Sequence, residues 1–257
     1  GETEILDYYP AMNCFNFAMS QAEGVVAAAA KGNSISKFTN YVESYQDKIL
    51  AKNPSGMIMP FLSNHDMDRI AGSFVTENNM RMAANLYLLC SGSPVIYYGE
   101  EIGMRGSRGS ESTDANRRLA MLWGDGDLIK DPTGSTYPVS KQITMTVADQ
   151  LSDERSLYSY YCRLLTIRHK YPAIARGEYT SLNCSDKNLG GFIVNYEGER
   201  IAIIHNTSTE EKVIDLSQYT DFEGYTLCDF IGVGEAVAIK GSTLTIGAQT
   251  SVIIKEK

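Results

Sequence analysis

The chain has 257 residues, of which 43% are hydrophobic, and it carries a formal net charge of −8. This length and composition allow a sizeable core in one large or two modest domains, and the acidic charge argues against nucleic acid or an anionic membrane surface as a partner. No apolar run approaches the roughly 18 residues that a membrane-spanning helix requires, so we predict no membrane span.

The N-terminal segment predicts one short strand and two helices. Residues 12–17 contain a short apolar run that fits a strand, and the Ala-rich stretch 23–31 is a strong helix former that Gly32 ends. In the second helix Ser34 is the predicted N-cap, and the chain leaves the helix before Pro54. Its apolar residues recur at three- and four-residue steps and predict one buried face: Ile35, Phe38, Val42, Tyr45 and Ile49.

The middle of the chain alternates strand and helix patterns. Buried strands are predicted at 57–62 and 94–99, with a helix over about 77–91 between them. Tight connections of this kind predict parallel strands in a repeating β/α architecture. Residues 100–150 then lose periodicity, and so long a loop inside a compact domain is typical of a functional segment.

The C-terminal part has a different texture. A helix is predicted to begin at Ser152 and to end before Pro172. From about Tyr179 onwards, short apolar runs alternate with turn residues, which predicts an antiparallel β-sandwich of Greek-key type. The sequence therefore predicts two domains, 1–177 and 178–257.

A polar cluster of Asn64, His65 and Asp66 directly follows the predicted strand 57–62. In barrels of parallel strands, the active site lies at the carboxyl ends of the strands. The cluster therefore predicts a functional site. The alternative interpretation is that these three side chains only cap the turn between strand and helix.

The other histidines and the five cysteines predict no second site. His169 ends a helix, where it can cap the last carbonyls, and His205 ends a sandwich strand, where a structural role is expected. No CxxC or Cys/His metal spacing occurs, so no metal site is predicted, and Cys90 and Cys162 fall in helical patterns as predicted core residues. No GxGxxG or GxxxxGK[ST] loop follows a strand, which argues against a nucleotide-binding protein.

Three stretches resemble the α-amylase superfamily of glycoside hydrolases. The sequence Phe-Leu-Ser-Asn-His-Asp, which ends at Asp66, resembles the fourth conserved region of that family, and Tyr-Tyr-Gly-Glu-Glu-Ile-Gly from Tyr97 resembles its eighth barrel strand. Residues 114–123 are similar to the loop after that strand. In many members this loop reads Asp-Pro-x-x-Arg-x-Pro-Met-x-Trp, whereas here Ala115 and Ala120 replace both prolines.

The resemblance implies an α/β plus all-β fold: a partial (β/α)8 TIM barrel with about strands six to eight, followed by the antiparallel Greek-key β-sandwich. The family's nucleophilic Asp on strand four and its acid/base Glu on strand five have no recognisable counterpart in the sequence. A complete barrel takes roughly 250 residues, and residues 1–177 contain only three strand–helix units. We therefore expect a C-terminal half that is inactive alone and is completed either by the N-terminal half of the same enzyme or by self-association.

The resemblance also implies retaining hydrolysis of α-1,4-glucosidic bonds in an α-glucan such as starch or in maltooligosaccharides. Asp66 matches the third catalytic carboxylate, which holds substrate hydroxyls and stabilises the transition state, and His65 matches a residue that hydrogen-bonds the sugar in subsite −1. Asn64 and Arg69 are expected to support the same pocket. Trp123, the only Trp, is expected either to stack on a sugar face or to fill a packing gap.

Other functions stay open at this point. A non-catalytic carbohydrate-binding or scaffold fragment is one, and an α-glucosidase or transglycosylase would share every motif. No cofactor is evident. Calcium enters by family analogy alone, because the acidic residues of the 100–150 loop match no EF-hand. Analogy with secreted bacterial enzymes predicts an extracellular or cell-surface location, with a cytoplasmic one left open.

Overall fold

The computed structural model describes residues 2–234 and 236–257. Its α-helices in that part of the chain are α1 (Glu2–Leu6), α2 (Val25–Ala30), α3 (Ser36–Lys52), α4 (Glu77–Leu88), α5 (Val147–Leu151), α6 (Leu157–Lys170) and α7 (Pro172–Arg176). Its strands are β1 (Phe15–Asn16), β2 (Met59–Pro60), β3 (Glu178–Asn183), β4 (Leu189–Tyr196), β5 (Glu199–Asn206), β6 (Lys212–Asp215), β7 (Tyr225–Gly232), β8 (Val237–Lys240), β9 (Thr243–Ile246) and β10 (Thr250–Glu256).

The N-terminal part contains short parallel strands. β1 pairs in parallel with β2, and Phe61 forms a single parallel bridge with Val95. The parallel direction was predicted, but the prediction of a full strand over 94–99 is wrong. The reason is an early turn, because the carbonyl of Tyr97 already accepts the N–H of Glu100 at 3.0 Å.

The helices follow the predicted periodicity better than the predicted caps. The predicted face of α3 is buried throughout, but the predicted N-cap Ser34 is wrong: α3 is flanked by Ile35 without a side-chain cap, and the Ser34 hydroxyl contacts that of Ser36 instead. The helix predicted from Ser152 is also wrong at its start. A capping box at Thr146 begins a separate helix, α5, and Ser156 is the N-cap of α6.

The predicted core cysteines differ in their surroundings. Cys90, just beyond α4, is fully buried, and burial raises the pKa of its thiol to about 12. Cys162 is exposed, so its predicted core position is wrong. The helical pattern is correct there, but this side chain lies on the outer face of α6.

The C-terminal part forms two antiparallel sheets. One has the order β3-β4-β5-β10-β7 and the other the order β6-β9-β8. Apolar side chains of both sheets share one core, which includes Ala202, Ile204, Ile214, Leu244, Ile246, Val252 and Ile254. The alternating apolar pattern therefore produces two sheets that pack on one another.

The helical and β parts share an uninterrupted core, although the predicted boundary at 177/178 lies between α7 and β3. The rings of Phe38 on α3 and Phe192 on β4 meet edge to face at 5.7 Å. Gln46 donates to the carbonyl of Gly177 at 3.0 Å and accepts the N–H of Tyr179 at 2.8 Å. Helix α3 therefore holds the β part against the helical part through both apolar packing and hydrogen bonds. Throughout the described chain, no helix combines the length and the apolar character needed to cross a membrane.

Candidate active site

The segment after β2 passes from the core to the surface within a few residues. Phe61 is fully buried and Ser63 is 3% exposed, whereas Asn64 is half-buried and the next two residues are exposed. The side-chain oxygen of Asn64 accepts the N–H of Asp66 at 2.9 Å. Asn64 therefore caps this turn, as the alternative interpretation predicts, and the same turn presents Asp66 to solvent.

His65 and Asp66 lie together at this surface. Nε2 of His65 is 3.3 Å from Oδ2 of Asp66, and both side chains are more than 60% exposed. The imidazole and the carboxylate can both reach a ligand. A polyhydroxylated ligand matches this pair, because the carboxylate accepts hydroxyl hydrogen bonds and the ring can donate or accept.

Two arginines that the sequence analysis did not assign hold this turn. Arg118 donates from Nε to the carbonyl of His65 at 3.1 Å and from Nη2 to Oδ1 of Asp66 at 3.1 Å. Arg117 donates from Nη1 to the carbonyl of Asp66 at 2.9 Å. The main chain and the carboxylate of Asp66 are therefore both fixed by the loop that follows the Tyr-Tyr-Gly segment.

An ion-pair network extends from these arginines. Nε of Arg117 lies 2.7 Å from Oδ1 of Asp68, and its Nη1 lies 3.1 Å from Oδ1 of Asp114. Asp114 also pairs with Arg108, whose guanidinium holds the pKa of that carboxyl below its usual range. The family-like stretch 114–123 pointed to this loop, but nothing in its local pattern shows which residues it contacts.

Arg69 lies apart from the hydrogen bonds of the Asn64–Asp66 cluster. It is 2% exposed, and its guanidinium carbon lies 4.6 Å and 4.5 Å from the ring centres of Tyr97 and Tyr98. It donates to the carbonyl of Tyr98, while Nε and Nη2 find no partner among the described residues. Its contacts therefore stabilise the Tyr97–Tyr98 segment through cation–π interactions.

Trp123 is half exposed in the long loop. Its backbone N–H bonds the carboxylate of Asp127 at 2.9 Å, and its carbonyl accepts from Ala148 at 3.0 Å. Among the described residues, no hydrogen bond or ring contact joins it to Asn64, His65 or Asp66. The structure does not bring Trp123 together with the cluster directly.

The sequence analysis did not identify a further buried carboxyl, that of Glu100. Glu100 is 2% exposed and accepts hydrogen bonds from the hydroxyls of Ser63, Tyr87 and Tyr161. Burial raises its pKa to about 7, although the three hydroxyls act in the opposite direction. The pair of glutamates in the Tyr-Tyr-Gly-Glu-Glu stretch could have indicated it, but exposed glutamates give the same pattern.

Metal ligands are not assigned. Within residues 2–234 and 236–257, no three His, Cys, Asp or Glu side chains are grouped as they would be around a metal ion. The carboxylates near Asp66 are instead paired with arginines.

Comparisons with known proteins identify the family of this chain. The family profile described as "Alpha amylase, catalytic domain" matches residues 9–177. Alpha-amylase SusG of Bacteroides thetaiotaomicron is 32% identical over 212 residues, which cover 74% of this chain and 30% of that protein. Alpha-amylase 3 of Dictyoglomus thermophilum is 27% identical over 259 residues, which cover 99% of this chain and 49% of that protein.

A solved structure supports the same relationship. The structure titled Eubacterium rectale Amy13B superposes with a TM-score of 0.87 at 29% identity, and covers 100% of this chain and 51% of its own. The chain thus spans about half the length, or less, of the relatives that it matches. With the profile spanning the helical part and the fold shared over the full chain, this protein belongs to the alpha-amylase family of glycoside hydrolases.

Proposed function

We propose that this chain is part of a retaining α-glucan hydrolase, to which it supplies Asp66 as the carboxylate that stabilises the transition state. The observation that carries the proposal is the arrangement of Asp66. It stands at the end of a buried parallel segment, beside His65, and Arg118 fixes its carboxylate. A sugar ring that flattens towards an oxocarbenium ion gains from such a carboxylate and from hydroxyl contacts that strengthen at the transition state.

The other site residues have supporting roles in this proposal. His65 hydrogen-bonds the sugar in subsite −1, and Asn64 sets the turn that presents both residues. Arg69 supports the site indirectly, because it holds the Tyr97–Tyr98 segment in place. Trp123 stacks on a sugar face further along the glucan, which suits its half-exposed ring.

In this proposal the barrel strands and the catalytic residues are divided between this chain and further sequence. We assign β1, β2 and the Val95 segment to strands six to eight of a (β/α)8 barrel. Residues 1–177 are then the end of the barrel domain, and residues 178–257 form a Greek-key sandwich. The nucleophile and the general acid come from the N-terminal half of the enzyme. A self-associated copy would complete the fold alone, because it carries the same residues as this chain. The amylase relatives named above, about twice as long or longer, support this division. By analogy with secreted enzymes we place it outside the cell or at its surface.

A binding module is the second candidate. Retaining hydrolysis needs a second carboxyl about 5–5.5 Å from the acid/base, and the carboxylates that share the network with Asp66, those of Asp68 and Asp114, are already paired with Arg117. Because both carboxylates are paired, neither is free to act as that second carboxyl. A carbohydrate-binding or scaffold role is therefore favoured if no partner completes the site. An α-glucosidase or a transglycosylase would use Asp66 as a hydrolase does.

The test measures release of reducing ends from soluble starch and a maltooligosaccharide. The chain is assayed alone and with a protein segment equivalent to the N-terminal half of Amy13B, beside its Asp66→Asn variant. We expect turnover only in the complemented sample, and a loss of at least about a thousandfold in the variant. Sugar binding without turnover in any sample would instead favour the binding module.

A further inference from the structure

Glu100 occupies a junction between the candidate site and two helices. It begins the 3₁₀ turn Glu100–Ile102, and its side chain is almost completely buried. Among the described residues, no Lys, Arg or His forms an ion pair with it. Burying a carboxyl without a cation is unfavourable unless hydrogen-bond donors surround it.

Three hydroxyls supply those donors, and they come from three different elements. Tyr87 on α4 donates to Oε1 at 2.6 Å, and Tyr161 on α6 donates to the same oxygen at 3.3 Å. Ser63, at the end of the buried parallel segment, donates to Oε2 at 3.2 Å. An ionised carboxylate only accepts, and its two oxygens can take all three hydroxyl protons at once.

Ser63 is the residue through which this junction reaches the candidate site. It is the last buried residue before Asn64, and the exposed pair His65 and Asp66 follows. The bond from Ser63 to Glu100 therefore fixes the point where the chain leaves the core. Arg118 holds the same turn from the solvent side.

We propose that Glu100 is a positioning residue for Asp66, acting through Ser63 to fix the strand end that presents the Asn64–Asp66 cluster. This inference rests on the role of Asp66 proposed above. A purely structural Glu100 would instead only join α4 to α6. The two roles are separable because Ser63 connects Glu100 to the site, whereas Tyr87 connects it to α4.

Three variants separate these roles. Glu100→Gln keeps the shape but places an NH2 group, which cannot accept, at one of the two oxygens. Ser63→Ala removes only the connection to the site. Tyr87→Phe is the matched control, because it removes one hydroxyl from the same carboxyl and leaves the bond between Ser63 and Glu100 in place.

The first measurement is amide hydrogen exchange in the full chain, followed by mass spectrometry, for peptides covering 61–69 and for α4. We expect Glu100→Gln and Ser63→Ala to raise exchange in 61–69 by about tenfold, and Tyr87→Phe to raise it in α4 alone. Unchanged exchange of 61–69 in Ser63→Ala would overturn the proposal. If Glu100→Gln does not fold, Ser63→Ala alone tests whether the bond to Glu100 positions the segment 61–69.

The second measurement is turnover of a maltooligosaccharide in the complemented sample described above. We expect kcat of Ser63→Ala to fall between tenfold and a hundredfold with KM little changed, because a misplaced carboxylate loses transition-state contacts. Tyr87→Phe is expected to keep kcat within about twofold, and equal losses in the two variants would overturn the positioning role. Absence of turnover in the wild type would count against the proposed function alone, while the exchange experiment still tests the position of the segment.

Discussion

Arg118 and Asp66 are 52 positions apart in the sequence, yet Nη2 of Arg118 lies 3.1 Å from Oδ1 of Asp66. The same guanidinium bonds the carbonyl of His65. One side chain therefore orients both the main chain and the carboxylate of the candidate site. Because the side chains of Arg118 and Asp66 are 43% and 65% exposed, the pair contributes little to stability, and its effect is on orientation.

Replacing Arg118 by Lys should therefore impair function more than folding. Lys cannot bond the His65 carbonyl and the Asp66 carboxylate with one planar group. We expect the free energy of unfolding to stay within about 0.5 kcal/mol of the wild type, and kcat on a maltooligosaccharide in the complemented sample to fall at least about tenfold. Arg155→Lys, at a side chain that is 94% exposed, is the control, and equal kcat values for the two variants would contradict the prediction.

Trp123→Ala should distinguish sugar stacking from packing. If the half-exposed ring stacks on a glucan, its removal costs about 1 kcal/mol of binding and raises the Kd for a maltooligosaccharide roughly five- to tenfold. Trp123→Phe should restore part of the affinity. An unchanged Kd together with a lower free energy of unfolding would show that the ring fills a packing gap.

Glu100→Gln should change how stability depends on pH. The pKa of Glu100 is about 7 in the folded protein against an ordinary 4.5, so between these values the folded state keeps a proton that the unfolded state has lost. The wild type therefore loses stability as pH rises through this window, by about 3 kcal/mol from this group. Urea unfolding at pH 5 and pH 8 isolates this contribution as the difference in free energy of unfolding between wild type and variant, which should fall by about this amount from pH 5 to pH 8. A difference that does not change with pH would contradict the prediction.

His205 should change the stability with pH in the direction opposite to Glu100. Its ring is fully buried and hydrogen-bonded to Ser251 at 2.7 Å, and burial lowers its pKa from 6.5 to about 3. Below pH 6.5 the imidazole of His205 becomes protonated in the unfolded state but stays neutral in the folded state. This group therefore lowers the free energy of unfolding as pH falls. At pH 5 this amounts to about 2 kcal/mol relative to pH 8. The difference in urea unfolding between wild type and His205→Gln measures it, and a pH-independent difference would refute it.

Asn85→Ala should weaken the contact between α4 and the β part. Asn85 is fully buried, donates to Ser251 at 2.9 Å and to the carbonyl of Ile231 at 3.2 Å, and accepts from Tyr160 at 2.7 Å. Its removal leaves buried polar groups unpaired, so we expect a loss of about 3 kcal/mol in the free energy of unfolding. Thermal or urea unfolding measures it against Asn40→Ala, an exposed position where the loss should stay below about 1 kcal/mol.

Local patterns were sufficient for much of the fold. The apolar face of α3 was predicted because helical periodicity places Phe38, Val42 and Ile49 on one side, and all three are buried. The alternation after Tyr179 predicted antiparallel sheets for a similar reason. The position of Asn64–Asp66 directly after an apolar strand pattern also needed only the sequence.

Contacts between distant segments were decided by the tertiary structure alone. Periodicity shows which side of an element is buried, but it carries no information on which polar groups meet across the core. The pairing of Arg118 with Asp66 and the burial of Glu100 among three hydroxyls are of this kind. The choice of Ser156 over Ser152 as the cap of α6 is another, because both serines are suitable caps and only the neighbouring helix α5 and the side-chain packing separate them.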